Sequence, residues 1–267
     1  MSILTRANKL SRIVLKPQNI FCETKYLFVL GHMRSRSTLL SHILGSNPNI
    51  CGHGELHHAY LHPLSLMKIR LDLNLDSDEP LKNKYLLDKL LHNRNIVSDK
   101  VLETIQPKVI FLIRQPESAL KSIINMGRKG RDAGLAQYEP VDGALDYYVS
   151  RLAMLEMYAN KLQGNYFFIE SDELINQPDD MLARLSVWLE LEQPLDKNYS
   201  IFHNTGKAGT GDMSKNIKSG KILKTKGYPD IQLSPEIVQQ GWDAYISCKE
   251  TLTKYDMRQA AALPQFA

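Results

Sequence analysis

Four short apolar runs, YLFVL (26–30), NIVS (95–98), KVIFLI (108–113) and NYFFI (165–169), are separated by longer stretches whose apolar residues recur every three or four positions. Runs this short, rich in β-branched and aromatic residues, read as strands buried on both faces, and their alternation with helices reads as a parallel sheet. A chain of 267 residues with 43% apolar content can bury a core of that kind. The expected fold is α/β, a parallel sheet flanked by helices in a single domain over residues 25–267.

Three helices are legible in more detail. Leu145, Tyr148, Val149, Leu152, Leu155 and Leu162 share one face after Glu139-Pro140. Pro178 opens a second helix, with Met181, Leu185 and Trp188 on one side, and Pro235 a third, with Val238, Trp242, Tyr245 and Leu252 facing inward. These aromatics read as core.

A formal net charge of +4 is too small to imply nucleic-acid binding, and no apolar run is long enough to cross a membrane. Three cysteines, Cys22, Cys51 and Cys248, have no paired spacing and suit a reducing compartment, so a cytoplasmic location is expected. Residues 1–24 open with MSILTRANKLSRIVLK, which lacks acids and a long apolar core; they read as a loosely ordered leader, with a transit peptide as the alternative. Residues 205–227, TGKAGTGDMSKNIKSGKILKTKG, carry six lysines and five glycines against a single acid and read as a flexible basic lid.

Chemistry enters where YLFVL runs into GHMRSRSTLL, residues 31–40. A strand that ends in glycine and passes to a helix starting near Ser37 gathers backbone N–H groups around one point, with the helix dipole behind them. A nucleotide loop of the G-x-x-x-x-G-K-[ST] type would have glycine and lysine where this chain has Arg36 and Ser37. The amides do not need that lysine, and Arg34 can supply the charge through a fork that grips a phosphate or sulfate in two places. Ser35, Arg36, Ser37 and Thr38 complete the candidate anion loop. A second stretch, KVIFLIRQPESALKS (108–122), ends a strand in Arg114, where phosphotransferases often carry a magnesium-binding acid, and places Ser122 in the helix opened by Pro116. A cation and a hydroxyl at the same sheet edge suggest a second anionic group on one ligand.

Together these stretches resemble the sulfotransferases that use 3′-phosphoadenosine 5′-phosphosulfate (PAPS), particularly the bacterial and tyrosylprotein-type members. RSRSTLL is similar to their 5′-phosphosulfate loop, R-S-G-[ST]-T-L-L, with Arg36 in place of the glycine. Arg114 and Ser122 match the arginine and the serine eight residues later that hold the 3′-phosphate. SNPNICGHGEL resembles the glycine-glutamate segment after the loop helix, and FFIESDEL resembles a strand ending in a Y-E-D-L-like turn. TGKAGTGDM resembles R-K-G-x-x-G-D-W, with Lys207 and Gly211-Asp212 retained. The resemblance runs from Tyr26 to about Ile222 and implies a P-loop-type sheet, PAPS as cosubstrate and sulfuryl transfer to a hydroxyl or amine.

It also implies roles. The transferring group carries less negative charge than a phosphoryl group, so no metal is required, and Arg34 with the loop amides would stabilise the leaving phosphate. Glu55 is the expected base, because the return turn Ser46–Pro48 can bring it back to the loop and the related glutamate serves as base; His53 is the reserve. His53, His57, His58 and His62 crowd around it, but H-G-E-L-H is not the zinc motif H-E-x-x-H, and the expectation is that one of them assists Glu55 or that they line the acceptor pocket. Lys100, just after NIVS, would steady the sulfuryl group, and Lys207 would touch the nucleotide.

The acceptor, a small molecule, glycan or lipid, would be covered by residues 60–94, and a homodimer is open. Two other readings stand beside this one. A nucleotide-dependent small-molecule kinase would want a loop lysine and a magnesium acid. A non-catalytic nucleotide- or sulfate-binding module would keep Arg114 and Ser122 but need no base.

Overall fold

The structure is a computed structural model and describes residues 21–77, 79–206, 216–224 and 227–256. Five strands, β1 (Lys25–Gly31), β2 (Ile50–Cys51), β3 (Tyr85–Leu90), β4 (Lys108–Ile113) and β5 (Phe167–Glu170), pair in parallel in the order β2-β3-β1-β4-β5. Eight α-helices are described: α1 (Ser37–Gly45), α2 (Met67–Asp76), α3 (Asp99–Ile105), α4 (Pro116–Lys129), α5 (Val141–Leu162), α6 (Glu173–Asn176), α7 (Pro178–Trp188) and α8 (Pro235–Lys254).

Alternate residues of each strand feed two cores, as the two-residue period of a strand requires. Phe28, Leu30, Val109 and Phe111 pack against α4, α5 and α8 through Leu120, Ile123, Leu152, Leu155 and Tyr245. Leu27, Val29, Ile110 and Leu112 pack on the other face against α1 and α7 through Leu40, Ile43, Met181 and Leu185. Each such side chain, taken from water, stabilises the fold by about 1.5–3 kcal/mol before entropy is set against it. Pro116, Pro178 and Pro235 each open a helix, where a missing N–H costs nothing.

Two expectations about the strands are corrected. NIVS is not a strand: Val97 makes only an isolated bridge to Tyr60, and Ser98 caps α3, its Oγ accepting from Val101 N–H at 3.3 Å. The third strand is YLLDKL, within the stretch read as acceptor cover, and its central Asp88 and Lys89 are both fully buried. Residues 1–20 of the leader, and Lys207 with Gly211 and Asp212 of the basic segment, lie outside the described residues.

Because every strand runs the same way, the loop after β1, Arg114 after β4, Ser171 after β5 and the end of β3 all meet at one edge. Gly31 is needed there: a Cβ would stand 2.7 Å from Leu112 O and 3.3 Å from Ser35 Oγ. Gly45 plays the same part under α1, where a Cβ would meet Gly52 O at 2.5 Å, so the chain returns tightly along the helix toward Glu55.

Candidate active site

The loop between β1 and α1 holds Arg34 and Arg36 in the left-handed region, at φ 63° and 67°. Such backbone costs a non-glycine residue on the order of 1 kcal/mol and persists only where neighbours enforce it. Here they do. Tyr147 Oη accepts from Met33 N–H at 2.6 Å, and buried His32 accepts from Arg114 N–H at 3.0 Å while its Nδ1 donates to Met33 O at 2.8 Å. Burial lowers the His32 pKa to about 4, so the neutral ring that this pattern needs is the stable one.

The two arginines diverge. Arg34 Nε donates to Ser122 Oγ at 2.9 Å, and Arg114 Nη1 donates to Arg34 O at 3.1 Å, so the two stretches singled out as anion sites form one surface. Arg36 turns away: its Nη1 pairs with Asp172 Oδ1 at 2.5 Å and donates to Ser171 O and Oγ at 3.0 Å each. Its Nη1 is thus committed to the end of β5, whereas its Nε is buried with no hydrogen-bond partner among the described residues. Burial first, then the charges of Arg36 and Arg34, lower the Arg114 pKa to about 10. Ser35 Oγ and Arg114 Nε are buried with no partner among the described residues, as groups awaiting an anion would be. Tyr228, which carried no sequence signal, comes within 3.3 Å of Ser122 Oγ from beyond the basic segment.

Lys89 stands on the other side of the loop. It is fully buried, its Nζ 3.4 Å from Thr38 Oγ1 and 3.7 Å from Glu55 Oε1. Glu55, with 9% of its side chain exposed, is held by its neighbours: Leu56 N–H donates to Asp88 Oδ1 at 3.0 Å, and Ser41 Oγ donates to His53 O at 2.7 Å. Tyr60 Oη donates to the other Asp88 oxygen at 2.8 Å. Burial raises the Asp88 pKa to about 6. His92 Nε2 lies 4.0 Å from Glu55 Oε2, and burial lowers its pKa.

Arg151 of α5, buried under this edge, donates to Gly31 O at 2.8 Å, His92 O at 3.3 Å and Leu90 O, tying the ends of β1 and β3 together. Its presence on an apolar helix face was the sequence signal that went unread.

Two expected site residues are elsewhere. Lys100 is exposed on the first turn of α3, next to Asp99, which pairs with Lys161 at 2.6 Å; it is not at the carboxyl edge because the strand that would have put it there does not form. His53 Nε2 is engaged by Asn204 Oδ1 at 2.6 Å, and its ring stacks on Phe202 at 3.9 Å, so it anchors residues 202–204 just before the basic segment. Cavities of about 490 and 350 Å³ lie at the opposite edge of the sheet, lined by Lys25, Tyr85 and Glu190.

No protein-family model and no curated protein sequence matches this chain. Solved structures do. A sulfotransferase domain from the curacin biosynthetic pathway superposes with a TM-score of 0.58 at 18% identity, covering 85% of this chain and 98% of that one. Sulfotransferase STF9 from Mycobacterium avium gives 0.53 at 14% identity over 90% and 81% of the two chains. STF1 from Mycobacterium tuberculosis H37Rv gives 0.52 at 13% over 88% and 81%. The chain has a sulfotransferase-type α/β fold.

Proposed function

We propose that this protein transfers the sulfuryl group of PAPS to a hydroxyl or amine of an acceptor of small-molecule, glycan or lipid type. The observation that carries the reading is the hydrogen bond from Arg34 Nε to Ser122 Oγ, with Arg114 Nη1 on Arg34 O. It joins Arg34, Ser122 and Arg114 in one cationic surface, and a ligand with two anionic groups, such as the 5′- and 3′-phosphates of PAPS, would satisfy Ser35 Oγ and Arg114 Nε.

Bound there, PAPS supplies an activated sulfuryl group. Arg34 and the loop amides hold the charge that appears on the 5′-phosphate as its bond to sulfur breaks. Glu55 takes the proton of the attacking hydroxyl or amine as the new bond to sulfur forms, so the proton ends on the carboxylate and the electron pair on the nucleotide. Lys89 reaches both the loop, at Thr38, and the base, at Glu55, and is the group best placed to steady the sulfuryl oxygens in transit. Arg114, Ser122 and Tyr228 orient the 3′-phosphate end. Lys207, outside the described residues, would close over the nucleotide.

The test is release of 3′-phosphoadenosine 5′-phosphate (PAP) from PAPS, with chelator present, during an acceptor screen. Acceptor-stimulated release that falls about 100-fold in Glu55→Gln supports the reading. PAP binding without turnover would point to a binding module of the same fold.

A further inference from the structure

The donors around Glu55 have a chemistry that sulfuryl transfer does not use. Glu55, His57 and His92 each present one ligand atom, and the three atoms lie within 4.8 Å of one another. Atoms so spaced all fall within about 2.8 Å of a common point, so each has to close by roughly 0.7 Å to reach the 2.0–2.2 Å of zinc bonds to nitrogen and oxygen. Side-chain rotation covers that distance.

The sequence gives no hint of this set, because His92 is 35 residues beyond His57. The fold brings them together. His57 has left-handed backbone, φ 56°, next to Leu56, whose N–H is pinned by Asp88. The His92 carbonyl is held by buried Arg151. The rings of His57 and His92 then come within 6.1 Å, centroid to centroid. The carboxylate is already divided between neighbours: Oε1 faces Lys89, and Oε2 faces His92. Lys89 therefore leaves one oxygen for an ion. His57 is exposed while the side chains of Glu55 and His92 keep only 9% and 17% exposure, so the group opens to solvent on the His57 side, which gives an ion an entry path and room for a water ligand.

We propose that Glu55, His57 and His92 form a site for a borderline divalent cation of the zinc type, which when bound occupies the base and holds the enzyme off. Two imidazoles and one carboxylate suit zinc, cobalt or nickel; magnesium and calcium prefer all-oxygen sites and are not expected to bind. The inhibitory half rests on the reading of Glu55 as base, whereas the site itself does not.

The experiment titrates Co²⁺ into metal-free full-length protein and follows its visible d–d absorption, with Zn²⁺ as competitor, in wild type and His57→Ala. The proposal expects a saturable one-to-one band, displaced by Zn²⁺ and weakened at least tenfold in His57→Ala, whose fold is checked by circular dichroism against wild type. PAP release is measured in parallel, each protein against its own zinc-free rate; Zn²⁺ should suppress the wild type and spare His57→Ala. A band that never saturates, or an equal one in His57→Ala, overturns the site. Cobalt binding with zinc-insensitive turnover overturns the inhibition. An intact band in a protein that never turns over PAPS would support the site and count against the sulfotransferase reading.

Discussion

Lys89 Nζ lies 3.7 Å from Glu55 Oε1, and both groups are withdrawn from water, the lysine fully and the glutamate with 9% of its side chain exposed. A buried cation survives when it is paired, and this one is paired with the candidate base on one side and with Thr38 of the anion loop on the other. Exchanging it for Met keeps the volume and removes the charge. Lys89→Met should lower PAP release from PAPS by about 100- to 1,000-fold, the usual scale for losing one group that stabilises charge in a transition state. PAP affinity, measured by calorimetry, should change by less than about threefold if Lys89 acts on the transferring group.

Asp88 makes a prediction about pH. Its folded pKa is about 6 against an ordinary 3.8, so the folded state takes up a proton between those values and the unfolded state does not. Stability should fall as pH rises through that window and level off above it. In Asp88→Asn the side-chain carbonyl can still accept from Leu56 N–H without titrating. Urea denaturation should show the variant gaining about 2 kcal/mol on wild type between pH 4.5 and pH 7. A constant difference would contradict the assignment.

Arg36 separates side chain from backbone in the loop. Its Nη1 is taken up by Asp172 and Ser171, and its left-handed φ is one that glycine adopts freely. Arg36→Gly should leave PAP affinity within about threefold of wild type. Arg34→Ala should weaken it at least about tenfold, by loss of a charge-assisted contact.

Arg151 is structural support for the site. Replacing it by Met would leave the carbonyls of Gly31, Leu90 and His92 without this buried donor. Chemical denaturation should register a loss of at least about 3 kcal/mol.

Much of the sheet was legible because β1 and β4 are uninterrupted apolar runs and α5 keeps its period for its whole length. β3 was not, and for the reason that makes it interesting: Asp88 and Lys89 break the run of leucines at the positions that serve the site. The β-branched NIVS reads as a strand in its place, which puts Lys100 at the sheet edge in the sequence, whereas the lysine that the structure places on a strand there is Lys89. Arg34, Arg114 and Ser122 were readable because each sits at a strand end or on the helix that follows. Tyr228 and His92 reach the site only through tertiary folding, far from any motif. His53 looked like a second base beside Glu55, but its ring is used to hold Phe202 and Asn204.

The measurement that bears most directly on the central claim is metal-free calorimetric binding of PAP to wild type and Arg114→Ala, with ATP–magnesium as the control. Arg114 should contribute a charge-assisted contact of about 1.5–3 kcal/mol, so the account predicts PAP binding weakened at least about tenfold in the variant and poor binding of ATP. Tighter binding of ATP–magnesium, with no change in Arg114→Ala, would contradict it.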